Sequence, residues 1–239
     1  MRKSLTSALI GLVSIVGYAR ADYQKGSQTF EWSGGLSGTI SKYDLQPGGS
    51  QEQSADPGYG WGGQYVYYFA LRGKPLLGVG IDGMYSHPSD RQSPDFGGNL
   101  NADLTAHYSV IEPIVKLVYP RGRLRPYIFS GLGWENTSIL ISGRPAPGFA
   151  WQDTLTSEDR TLYDTSHNSF VITGAVGLDV FINETFFVGT EFRSTSPLYK
   201  VTYHPTSAGN AAGFGDINSN LEVWNLLFHM GIKFGGSAQ

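Results

Sequence analysis

The sequence predicts an all-β fold, an eight-stranded antiparallel up-and-down transmembrane β-barrel. Three observations predict it: a two-residue hydrophobic period that recurs along the chain, connections that alternate between short and long, and an N-terminus built for export.

The N-terminus comes first. Met1-Arg2-Lys3 is basic, residues 5–16 are apolar but too few to span a bilayer, and Ala19-Arg20-Ala21 places small residues at a cleavage site. Residues 1–21 therefore read as a signal peptide and residues 22–239 as one outer-membrane barrel domain. The chain has no cysteine, so lipid attachment, disulfides and thiolate metal sites are excluded. Removing residues 1–21 leaves 14 basic against 20 acidic residues, a balance that argues against nucleic acid as a partner.

The period-two signal is clearest in two segments. In residues 170–182, Phe170, Ile172, Val176, Leu178 and Val180 share one face, opposite Ser169, Thr173, Ala175, Gly177 and Asp179. In residues 221–234, Trp224, Leu226, Phe228, Met230, Ile232 and Phe234 lie opposite Asn225, His229, Gly231 and Lys233. Strands are expected over about 28–41, 60–71, 76–86, 105–119, 126–137, 168–182, 186–195 and 222–234. Three connections are short: Arg72-Gly73-Lys74-Pro75, residues 120–125, and Asn183-Glu184-Thr185. The others, about 42–59, 87–104, 138–167 and 196–221, are long and rich in Gly, Pro, Ser, Asp and Asn. Short turns on one rim and long loops on the other match the periplasmic and extracellular ends of membrane barrels. Ile139, Leu140, Ile141 and Thr161, Leu162, Tyr163 keep strand-like composition, so pairing is expected to continue into the 138–167 segment.

No amphipathic helix is available to cover the apolar faces, which assigns them to lipid. Trp32, Trp61, Tyr85, Tyr119, Trp134, Phe186, Trp224 and Phe234 are expected in interfacial girdles. The polar faces then point inward and carry Glu31, Gln64, Arg72, Asp82, Glu112, Lys116, Glu135, Asp179, Glu191, Arg193, His229 and Lys233. Acids and bases are mixed, and the interior of an eight-stranded barrel is only wide enough for side chains. A mutually paired charge network is expected, because an isolated buried charge is costly. A conducting pore is the alternative.

Residues 126–134, Pro-Tyr-Ile-Phe-Ser-Gly-Leu-Gly-Trp, resemble the small outer-membrane barrels of the OmpA/OmpX type, the outer membrane protein β-barrel domain family. So do residues 177–193, in which Gly177-Leu178-Asp179 leads to a tight turn and then Gly189-Thr190-Glu191-Phe192-Arg193. The resemblance implies a bacterial outer-membrane location and an architecture without shared catalytic residues or a cofactor.

Other chemistry is sparse. His167-Asn168-Ser169 with Glu191 resembles the His-x-Ser pair and distant acid of a lipid A deacylase, but both side chains fall on the inward face. The five histidines (87, 107, 167, 204 and 229) lack zinc-site spacing. Asp153, Glu158, Asp159 and Asp164 do not match a calcium loop. The expected function is non-enzymatic: envelope structure, with lipid around the barrel and loops open to an extracellular ligand or host factor. A small pore and a lipid A-modifying hydrolase are the alternatives.

Overall fold

The computed structural model describes residues 26–44, 50–54, 57–70, 75–88, 100–119, 122–152 and 156–236. The predicted signal peptide and Arg72 lie outside these residues. Among the described residues, ten strands and one short helix follow in order: β1 (Ser27–Asp44), β2 (Ser50–Ser54), β3 (Gly58–Ala70), β4 (Leu76–His87), β5 (Leu100–Val118) and β6 (Leu124–Pro145). They continue with β7 (Arg160–Phe181), β8 (Phe186–Pro197), β9 (Val201–Tyr203), α1 (Ser207–Ala211) and β10 (Ile217–Gly235). Each long strand pairs antiparallel with its sequence neighbour, and β1 pairs with β10 from Ser27↔Gly235 to Tyr43↔Ser219. The sheet closes into the eight-stranded barrel that the alternation predicts. Two elements were not legible: β2, which extends the sheet beside the top of β1, and β9, which pairs with the start of β10. Both fall in segments expected to be loop.

The outward face of the lower wall is an apolar band. On β6 it runs through Leu124, Ile128, Leu132 and Trp134, all exposed. About ten residues rising ~3.3 Å each and tilted ~40° give a band about 25 Å tall, the height of a bilayer's hydrocarbon. Above it, Trp134 and Phe170 pack edge-to-face at 5.2 Å, and Trp61 faces Tyr85 at 5.7 Å. Tyr119, Phe186 and Phe234 mark the opposite rim. Trp32 departs from the expected girdle position: paired with Gly63 and Met230, it lies well inside the wall and packs on Phe30 at 4.4 Å. The turn between β7 and β8 is tight, with Asn183 Oδ1 accepting from the Thr185 and Phe186 backbone N–H groups at 2.8 Å each.

Above the Trp134–Phe170 level the hydrophobic pattern changes sign. On β6 the inward positions pass from Glu135 and Thr137 to Ile139 and Ile141, while the outward ones, Leu140 apart, become Asn136, Ser138, Ser142 and Arg144. On β5, inward Leu100, Ala102, Leu104, Ala106 and Tyr108 are buried, and Asn101 and Asp103 face out. On β7, Asp164, Ser166 and Asn168 face out above Phe170. The cause is the solvent. Lipid rewards apolar side chains outside, whereas water rewards them inside.

The inward apolar residues form one core with Trp151, Leu162, Tyr163, Tyr203, Ala212, Ile217, Leu221 and Val223. Helix α1 packs on this core, held by Thr206. Its backbone N–H donates to Leu162 O at 2.8 Å, its Oγ1 donates to Thr161 O at 2.6 Å, and Oγ1 accepts from Gly209 N at 3.0 Å. Tyr163 donates to Gly215 O at 2.8 Å, and burial pushes its hydroxyl above the ordinary tyrosine range. β6 and β7 pair up to Gly143↔Arg160, as the composition of 138–167 predicts. A water-type, apolar-cored cap thus stands on a lipid-type barrel.

Candidate functional site

The candidate site is the barrel's bore together with this cap. Alternation aims the polar side chains inward, and the barrel's small diameter makes them meet. Lys116, fully buried on β5, donates to Glu31 on β1 at 2.9 and 3.1 Å and to Gln64 on β3 at 3.1 Å. Gln64 donates in turn to Asp82 at 3.2 Å. Arg193 on β8 reaches across the bore to Asp82 on β4 at 2.7 and 3.3 Å and also grips Glu191 at 2.6 Å. Tyr127 donates to Glu191 at 2.6 Å, and its ring lies 3.9 Å below the Lys116 ammonium. Thr29 completes the chain on Glu31 at 3.3 Å. One connected network therefore links six strands of the barrel, and His229 with Asp179 at 2.7 Å lies alongside.

The remaining acids sit higher and take hydroxyl neighbours. Glu135 accepts from Thr137 at 2.6 Å. Glu112 lies flat across β6, passing Gly133 and carrying its carboxylate over Gly131 toward Thr173, the register partner of Gly131. A Cβ at either glycine would collide with Glu112. This explains the Gly131-Leu132-Gly133 spacing, in which glycine is needed for space and Leu132 faces out. We expect Gly131→Val to cost about 1–3 kcal/mol through overpacking. The loss should shrink in a Glu112→Ala background, as read from urea unfolding of the four variants of a double-mutant cycle.

The model of the outer membrane protein beta-barrel domain matches residues 6–234, nearly the whole chain. The chain belongs to that family. None of the curated proteins matches it. Among solved structures, the outer membrane protein OprG of Pseudomonas aeruginosa is 13% identical, covers 90% of this chain and 98% of its own, and has a TM-score of 0.46. Neisserial surface protein A is 12% identical over 86% and 97%, with a TM-score of 0.42. The attachment invasion locus protein Ail of Yersinia pestis is 10% identical over 88% and 99%, with a TM-score of 0.36. Membership in this family makes the chain an integral protein of the bacterial outer membrane, and the apolar band is the surface its lipid covers.

Of the inward residues predicted for this family member, Glu31, Gln64, Asp82, Glu112, Lys116, Glu135, Asp179, Glu191, Arg193 and His229 are all buried. Lys233 lies half-buried near the short-turn rim, its backbone N–H donating to Thr185 O at 2.7 Å. Sequence reasoning missed Arg125, which is fully buried and stacks on Phe181 at 4.3 Å. It stood within an expected turn, although its parity with Tyr127 and Phe129 is the inward one. Tyr127 was missed because a tyrosine in a strand reads as apolar or interfacial.

Ser169 is buried in register with Glu135, and His167 bonds Thr165 at 3.1 Å. Glu191, the acid a hydrolase would need beside them, is held by Arg193 and Tyr127 instead. His87 and His107 stack across β4 and β5 at 4.4 Å, with Tyr85 against His107 Nδ1 at 2.7 Å. Among the described residues no group of three or more His, Asp or Glu is placed to hold a metal ion.

Proposed function

We propose that the protein is a closed, non-enzymatic outer-membrane scaffold that holds its extracellular cap at the cell surface for contact with a ligand or host factor. In this reading residues 1–21 direct export and are removed. One observation carries it: Arg193 and Asp82, four strands apart around the barrel, are bonded across the full width of the bore. The apolar cap core lies above them, so two barriers of opposite chemistry stand in series. Loops borne on a rigid scaffold are where binding specificity resides.

Planar-bilayer recording of the purified protein tests the closed state. Conductance indistinguishable from the bare bilayer is the expected result. Stable unitary currents that disappear in a control lacking the protein would replace the scaffold with a pore.

A further inference from the structure

We infer that the outer face of the cap carries a saccharide-binding groove, with Phe149 as its stacking platform and Asn101 and Arg144 as its hydroxyl-reading floor. The inference rests on the scaffold reading and names the class of ligand for its surface contacts.

Two adjoining hollows, about 280 and 460 Å³, share Asn101 and Arg144, which face each other in the β5–β6 register. They are of the order of small-molecule sites, roughly 300–1,000 Å³. The smaller hollow is lined mainly by amide, hydroxyl, carboxylate and guanidinium groups, whereas the larger adds an apolar wall of Pro145, Ala146, Pro147, Ala150 and one large aromatic, Phe149. Asp103 and Asp159 close one end, and Thr156 and Ser157 the other. Arg144 meets Asp159 only at 3.9 Å, and both side chains are more than half exposed, so guanidinium N–H groups remain for a ligand.

Phe149 is 54% exposed yet is not loosely held. It ends the turn Ala146-Pro147-Gly148-Phe149, in which the Phe149 N–H donates to Ala146 O at 3.0 Å and Gly148 has φ +91°. Proline at the second position and a positive-φ glycine at the third make a type II turn, which fixes the backbone that carries the ring. An aromatic fixed before binding lowers the entropy cost of using it. A ligand matching this lining must be polar around its edge and apolar on one ring face. A pyranose has that distribution: its C–H face can stack on Phe149, while paired hydroxyls meet planar Asn101, Asp103 and Arg144.

The source could be the oligosaccharide of neighbouring lipopolysaccharide or a glycan from outside the cell, and the test separates them. The full chain, folded in detergent, is titrated by saturation-transfer NMR with two probes, deacylated core oligosaccharide and a set of free neutral sugars (galactose, lactose and maltose). Saturable binding of either probe is expected, and whichever binds identifies the source. Phe149→Ala and Asn101→Ala should each weaken binding at least tenfold, with Phe149→Trp retaining it. Because these side chains are exposed, heat-modifiable migration should be unchanged in all three. Absence of binding by both probes, or binding unaltered in Phe149→Ala, overturns the groove. Either failure leaves the bilayer recording unaffected, so loss of the groove and loss of the closed scaffold are distinguishable.

Discussion

Replacing Arg193 with methionine should produce the largest loss of stability of any lumen substitution, about 3–5 kcal/mol, because it leaves buried carboxylates without their cation. Among the described residues, Arg193 bonds both Asp82 and Glu191 in the network. The methionine keeps much of the volume, so the loss reports charge more than packing. The midpoint of urea unfolding in lipid vesicles, followed by tryptophan fluorescence, measures it. A triple variant that also carries Asp82→Asn and Glu191→Gln should recover most of the loss, since neutral amides need no counter-charge. A methionine variant as stable as the parent would mean that the network contributes nothing to holding the barrel together.

The second large effect comes from placing one substitution at two heights of a single face. Ile128 and Leu140 both point outward from β6, 53% and 39% exposed. Ile128 stands near the middle of the apolar band and Leu140 stands above Trp134. Ile128→Arg should cost about 2–4 kcal/mol, the penalty for a cation at the bilayer midplane. Leu140→Arg should stay within about 0.5 kcal/mol, as for an ordinary exposed site in water. Equal penalties would place both residues in the same solvent and remove the boundary drawn through Trp134 and Phe170. Folding yield into lipid vesicles and urea unfolding give the two values.

That boundary also explains what could be read in the chain and what could not. Parity is a local signal, and within the lipid-facing wall it points Glu31, Asp82, Lys116, Asp179, Glu191 and Arg193 inward, where all six are buried. It could not pair them. Asp82 and Arg193 are 111 residues apart, and nothing in either segment encodes that they meet. The strand ends failed for a different reason. Between Trp134 and Ile139 the apolar residues change parity without any break in the strand, and a template that expects one phase stops there. The same change cut β5 at about 105 and β10 at about 222, whereas the strand-like composition of 139–141 and 161–163 carried the β6–β7 pair further. The strands β2 and β9 are too short for a period to register. In the groove, only the Pro147-Gly148 turn is a local sequence signal; its partners Asn101 and Asp103 arrive from another strand.

The Arg193–Asp82 bond spans the widest separation in the ring of strands, and it has a consequence for how the barrel assembles. The two residues lie on opposite walls, and the sheet becomes a ring only when the last strand docks along the first. Contacts of such long sequence separation form late, after most of the chain's loop-closure entropy has been lost. Until closure, the inward charges of a half-built sheet face an open side and need water or an escort to solvate them. Joining β10 to β1 then removes the last free edge and brings every ionic partner within reach, so a single zipping event both seals the seam and neutralises the interior. The network acts in assembly as a late clasp, one that a sheet still open along that seam cannot fasten.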